Sequence, residues 1–216
     1  MKRSLLIFSI FFFSFHTGLL AQKESEGVYL SANDFTNGKI SFVNDQAKKR
    51  YQLQLNEFFN TSSIKIIIGD SVITLHKDSI FGYRDKKNIC YRFYKKAAFE
   101  ILNPSEKILL YSKTSAVGIP KNNYRVTNYF FSVNARSPIY PLTIWNLKTV
   151  LHKDVHFHEL VDVYFHYDNE LTAYDSLNRI YFLNRIYEES NEGSNKIINK
   201  QNENENKCTI FSDHRH

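Results

Sequence analysis

Ser63-Ile64-Lys65-Ile66-Ile67-Ile68-Gly69-Asp70-Ser71-Val72-Ile73-Thr74-Leu75-His76 is the stretch that decides the fold. Two runs rich in β-branched residues, which favour strands, flank a Gly-Asp pair. A two-residue loop of this kind between such runs signals a hairpin. The chain downstream repeats the pattern. Ile80-Phe81-Gly82-Tyr83 precedes the polar turn Arg84-Asp85-Lys86-Lys87-Asn88, which leads into Ile89-Cys90-Tyr91-Arg92-Phe93-Tyr94. Alternation puts Ile89, Tyr91 and Phe93 on one face and Cys90, Arg92 and Tyr94 on the other. Phe99-Glu100-Ile101-Leu102 turns at Asn103-Pro104 into Lys107-Ile108-Leu109-Leu110-Tyr111, and a loop with Gly118 and Pro120 precedes Tyr124 to Val133. Short strands at this spacing predict an antiparallel β-meander over residues 27–134, rolled into a small sandwich or open barrel.

The period then changes from two to that of a helix, over residues 143–188. Thr143 can cap a helix over Ile144 to Leu151, and Asp154 a second one. In the second, Phe157, Leu160, Val161, Tyr164 and Phe165 form one apolar stripe. Asp168 can cap a third, with Leu171, Tyr174, Leu177, Ile180, Tyr181 and Leu183 facing inward. The expected class is therefore α+β, a β-meander followed by two or three C-terminal helices.

The two ends read differently. Residues 1–21, MKRSLLIFSIFFFSFHTGLLA, have a basic start, an apolar run from Leu5 to Phe15 and a small residue before Gln22. That is the layout of a signal peptide cut after Ala21; the alternative is an uncleaved N-terminal anchor. Cleavage leaves 195 of the 216 residues and lowers the formal charge from +6 to +4, since Lys2 and Arg3 are lost. No later apolar run is long enough to span a bilayer as a helix. Residues 22–190 are expected to form one globular domain. Residues 191–216, dominated by Asn, Glu, Lys, Ser and Gln, are expected to be a disordered polar tail.

The basic residues come in scattered pairs, as in Lys48-Lys49-Arg50, Lys86-Lys87 and Lys95-Lys96, rather than in a stripe. With export, this argues against a nucleic-acid partner. No G-x-S-x-G, P-loop or G-x-G-x-x-G motif is present. One cluster bears on metal chemistry. On the second helix His158, Asp162 and His166 stand at i, i+4 and i+8 beside Glu159, opposite the apolar stripe. Two imidazoles and two carboxylates could bind zinc. The order is HExxD rather than HExxH, and a solvated polar face is the alternative. His214 and His216 add a short terminal tract. Tyr91, Tyr94, Tyr124, Tyr129, Phe130 and Phe131 either line a ligand surface or form cross-strand core pairs. Cys90 and Cys208 either pair as a disulfide or leave Cys90 as a small buried hydrophobe.

Gly27-Val28-Tyr29-Leu30-Ser31-Ala32-Asn33-Asp34-Phe35-Thr36-Asn37-Gly38-Lys39, Ile80-Phe81-Gly82-Tyr83 and Leu171-Thr172-Ala173-Tyr174-Asp175 resemble segments of small exported proteins of Bacteroidetes-type bacteria. Ala21-Gln22 is similar to the cleavage site of their signal peptides. The resemblance spans most of residues 27–188. It implies a periplasmic, outer-envelope or extracellular location in a Gram-negative cell, and no site residue. The leading expectation is a non-enzymatic module that binds an envelope partner or small ligand through its β-rich part. A metal-dependent hydrolase using His158, Glu159, Asp162 and His166 is the rival, and a purely structural envelope protein the third. Mass spectrometry of the protein from the envelope fraction should find Gln22, free or cyclised, at the N-terminus. Intact Met1 on cytoplasmic protein would end the export reading.

Overall fold

The computed structural model describes residues 26–43, 51–55, 61–118 and 124–192. Among the described residues the chain forms twelve strands and four α-helices. These are β1 (Gly27–Tyr29), α1 (Ala32–Thr36), β2 (Tyr51–Gln54), β3 (Ser63–Ile68), β4 (Ser71–His76), β5 (Gly82–Arg84), β6 (Cys90–Tyr94), β7 (Ala97–Ile101), β8 (Leu109–Val117), β9 (Tyr124–Ser132) and β10 (Tyr140–Pro141), then α2 (Ile144–Val150), α3 (Val155–Tyr164), β11 (Tyr174–Asp175), β12 (Ile180–Tyr181) and α4 (182–192). The fold is α+β, built on a curled antiparallel sheet, a half-barrel of seven strands, with helices at the C-terminal end.

The hairpin forms as read. Ile68 pairs with Ser71, and Gly69 takes the left-handed φ of +59° that the first loop position of a type II′ turn requires. Its strands do not join the long meander, however. β2, β3 and β4 make a separate three-stranded sheet, and β1 crosses over them to pair with β5, giving the order β1-β5-β6-β7-β8-β9-β10. The reason lies in the hydrophobic pattern. Ile64 and Ile66 on β3 are completely buried and pack with Ile73 and Leu75 of β4 against Val28, Tyr83 and Phe93 of the long sheet. A hairpin with one greasy face is better covered as a second layer than as an edge. Gly82 permits the close pairing of β5 with β6, since a Cβ there would collide with the Tyr91 carbonyl.

Cross-strand partners share a face, so Val28, Tyr83, Tyr91, Glu100, Ser112 and Tyr129 mark one side of the sheet. This side carries two covers. The three-stranded sheet lies over β1, β5 and β6. The helices lie over the other end, where Leu110 and Phe131 meet Leu147, Phe157, Val161, Leu171, Leu183 and Ile186. The opposite, inner side gathers Tyr29, Phe99, Ile101, Leu109 and Tyr111, and Phe35 of α1 closes it. Phe35 stacks on Phe81 with ring centroids 4.6 Å apart.

Two helices start where their caps predict. Thr143 Oγ1 accepts the Asn146 N–H, and Asp154 Oδ1 accepts that of Phe157. The third expected helix is corrected. Asp168 starts only a short 3-10 turn to Thr172, and its Oδ1 accepts the N–H of Ile144 instead. Asp175 Oδ1 accepts the N–H groups of Leu177 and Asn178. That local turn competes successfully with a helix and closes the β11–β12 hairpin, with Leu177 89% exposed at its tip. Helix resumes over 182–192, two residues into the segment assigned to the tail, because Ser190 is fully buried and donates to Asp154 Oδ2. The rest of that tail, residues 193–216 with Cys208, His214 and His216, lies outside the described residues, as do residues 1–21.

A polar clamp joins α4 to the sheet. Just before β8 the chain has left strand pairing, and the Asn184 amide replaces the missing strand. Its Oδ1 accepts the Ile108 N–H and its Nδ2 donates to the Ile108 carbonyl, at 2.9 Å each. Asn103 serves Leu110 similarly, accepting its N–H at Oδ1, and it also donates to the Ile108 carbonyl. Glu106 accepts from Asn103 Nδ2 and the Tyr181 N–H. Burial raises its carboxyl above the ordinary glutamate value, against these hydrogen bonds. Asn184→Leu strands a buried N–H and should cost about 1–3 kcal/mol in urea denaturation. An unchanged midpoint would show that the clamp contributes nothing.

Candidate functional site

The histidine-bearing face of α3 is the first candidate. Phe157 and Val161 turn inward, so the expected polar face does point outward. Its side chains are engaged separately. His158 Nε2 lies 3.1 Å from the Leu151 carbonyl. Glu159 meets His156 Nδ1 at 3.4 Å, and Asp162 is salt-bridged to Lys148. His166 does not continue the row, because the helix ends at Tyr164 and Phe165 is extended. The His166 N–H donates to Glu170 Oε2, and this bond with that from Tyr167 holds the Glu170 carboxyl below its ordinary value. Among the described residues, no group of three or more His, Cys, Asp or Glu side chains is gathered to hold one metal ion.

The aromatic residues divide. Phe131 is core, and Tyr94 packs edge-on to Phe99. Tyr124 and Tyr129 are exposed on β9. Tyr91 stacks on Tyr83, centroids 4.7 Å apart, and lines a cleft. Cys90 is buried, with Sγ 3.6 Å from Tyr29 Oη.

That cleft, of about 520 Å³, is the second candidate. It opens on the two-cover side of the sheet, where β7 and β8 part. Their register contains only Glu100↔Ser112 and Ile101↔Tyr111, whereas β8 continues against β9 as far as Val117. Among the described residues, Lys77, Lys96 and Arg125 line the cleft with one carboxylate, Glu100, and Lys113 contributes to its wall, so the described lining carries an excess of basic side chains. Lys77 is 3% exposed, with Nζ 5.4 Å from the Phe93 ring centroid. Lys113 Nζ stands over Phe99.

Lys96 reaches the cleft through an unfavourable turn. Tyr94 pairs with Ala97, so Lys95 and Lys96 are the whole loop. Both have left-handed φ, 49° and 66°, where a type I′ hairpin prefers Asn-Gly. Backbone strain of this kind in non-glycine residues is characteristic of functional sites.

Behind the cleft, on the inner side of the sheet, lies a buried cation. Arg92 donates to Tyr111 Oη at 3.0 Å, to Ser132 Oγ at 3.2 Å and to the Ser137 carbonyl at 2.8 Å. It lies over Phe81, with its guanidinium carbon 5.4 Å from the ring centroid. Burial pushes the Tyr111 phenol up, opposed by Arg92 and by the Ser132 hydrogen bond.

Sequence reasoning saw Lys95-Lys96 and Tyr91 but not Lys77 or Arg125, which only the fold brings beside them. The available signal was length: Leu109–Val117 and Tyr124–Ser132 outrun Ala97–Ile101. No protein-family model matches the chain, and no curated protein or solved structure shows significant similarity to it. Lys95→Asn with Lys96→Gly should stabilise the protein by about 1 kcal/mol in urea denaturation. Destabilisation would mean that the Lys95 contact with the Tyr94 ring, 5.5 Å away, outweighs the turn strain.

Proposed function

We propose that the protein is an exported, non-enzymatic binding module of the cell envelope that holds an acidic ligand or partner in the cleft between β7 and β8. The observation that carries the reading is the parting of two strands beside Lys77, Lys96 and Arg125, with Glu100 the single carboxylate of the cleft among the described residues. The layout of residues 1–21 supports export. The metal-hydrolase reading gains no support from the separate partners of His158, Glu159, Asp162 and His166.

Lysine acetylation footprinting tests whether the cleft is occupied, whatever the ligand. Lys96 should be protected in the envelope fraction relative to purified protein, while exposed Lys65 and Lys153 should react equally in both. Equal reactivity of all three would overturn the reading.

A further inference from the structure

The backbone around the cleft specifies the occupant further. The Leu110 carbonyl accepts the Leu102 N–H, and the Leu110 N–H donates to Asn103 Oδ1. Both backbone groups of Leu110 therefore point toward β7. Antiparallel geometry repeats this orientation at every second residue, so Ser112, Thr114 and Ala116 present N–H and C=O to the same side. Ser112 meets Glu100. Ala98 would be next, opposite Thr114, but the register has ended. Among the described residues, the result is an open strand edge on β8, with Ala98 across the gap.

The side chains leave that edge accessible. Ala98, Ser112, Thr114 and Ala116 are small, and Thr114 Oγ1 is turned to Thr127 Oγ1 at 2.8 Å. Among the described residues, no bulky group fills the space that another backbone would occupy. Lysines on an edge discourage pairing with a like-charged strand, and Lys96 and Arg125 favour a carboxylate-bearing one. A polyanion such as a sulfated glycan carries no donors and acceptors alternating at the strand repeat and would match the Thr114 and Ala116 N–H and C=O groups irregularly. A peptide strand supplies donors and acceptors at the spacing β8 presents.

We infer that the occupant is an extended acidic segment of a partner protein, which adds as a strand along Thr114 and Ala116 of β8. The inference rests on the reading of the cleft as a binding site. The proposed strand is held by backbone hydrogen bonds, and Lys96 and Arg125 select its charge.

The probe is a fluorescein-labelled, end-blocked heptapeptide of alternating Glu and Val, titrated into the exported chain by fluorescence anisotropy. Saturable one-to-one binding is expected. The same peptide N-methylated at alternate residues should bind about tenfold more weakly, its charge unchanged but its donors removed. A Lys-Val peptide should not bind. Lys96→Glu should weaken the acidic peptide by a similar factor. Ala116→Pro should do so too without lowering the melting temperature, because the deleted N–H has no strand partner. The N-methylated arm needs no variant and decides the matter if Ala116→Pro fails to fold. Equal binding of the two acidic peptides, tighter binding of heparin than of either, or no saturable binding would each overturn the strand. Lys96 protection in the envelope fraction would then still stand as evidence of a different occupant, and its loss would remove the cleft itself.

Discussion

Ile108 is the residue on which the two halves of the molecule meet, and it is held there by amides rather than by a strand. The buried Asn184 side chain takes both of its backbone groups, as a neighbouring strand would. An apolar residue at 184 could fill the volume but would leave the Ile108 N–H dry, while Asn103 still served the carbonyl. The helices are thus registered against β8 by directional bonds, while Leu147, Phe157, Val161 and Ile186 supply the undirected apolar contact. Hydrophobic packing alone tolerates sliding; two hydrogen bonds to the backbone of one residue do not.

That registration also sets where the cleft falls. The helical cover ends near Leu110 and Phe131, and the three-stranded sheet covers Tyr83 and Phe93. Ser112, Glu100 and Thr114 lie between the two covers. Small and polar residues there give neither layer anything apolar to bury, so the surface stays open. The parting of β7 from β8 and the exposure of that part of the sheet have one sequence origin: a run of Ser112, Lys113, Thr114, Ser115 and Ala116 after the apolar Ile108–Tyr111.

Period and turn chemistry made most of this fold legible. The Gly69-Asp70 hairpin, the alternation in Cys90–Tyr94 and the Thr143 and Asp154 caps are local facts, settled within a few residues. The layer assignment of β2, β3 and β4 was not local, since it depends on Val28 and Phe93 needing cover from Ile64 and Ile66. The 168–181 segment misled because its apolar spacing suits a helix. Asp168 and Asp175 instead spend their carboxylates on other N–H groups. The histidine row on α3 was visible in sequence and does face outward, but helical spacing could not reveal that Lys148 and the Leu151 carbonyl come between its members. The cleft was nearly invisible, because Lys77 and Arg125 are far from Lys96 in the chain.

Arg92 has one further consequence. Buried cations usually face a carboxylate, and such a pair loses its attraction once acid protonates the anion. Among the described residues Arg92 makes no ion pair; its donors meet two hydroxyls and a carbonyl, and aromatic faces surround it. The Ser132 hydroxyl and the Ser137 carbonyl take no part in titration between mild acid and neutrality, and burial pushes the Tyr111 phenol further from that range. Among the described residues, protonating a carboxylate therefore breaks none of the hydrogen bonds that hold Arg92. Acid can loosen this molecule at its carboxylate-bearing surface turns, but the guanidinium at its centre offers it nothing to neutralise.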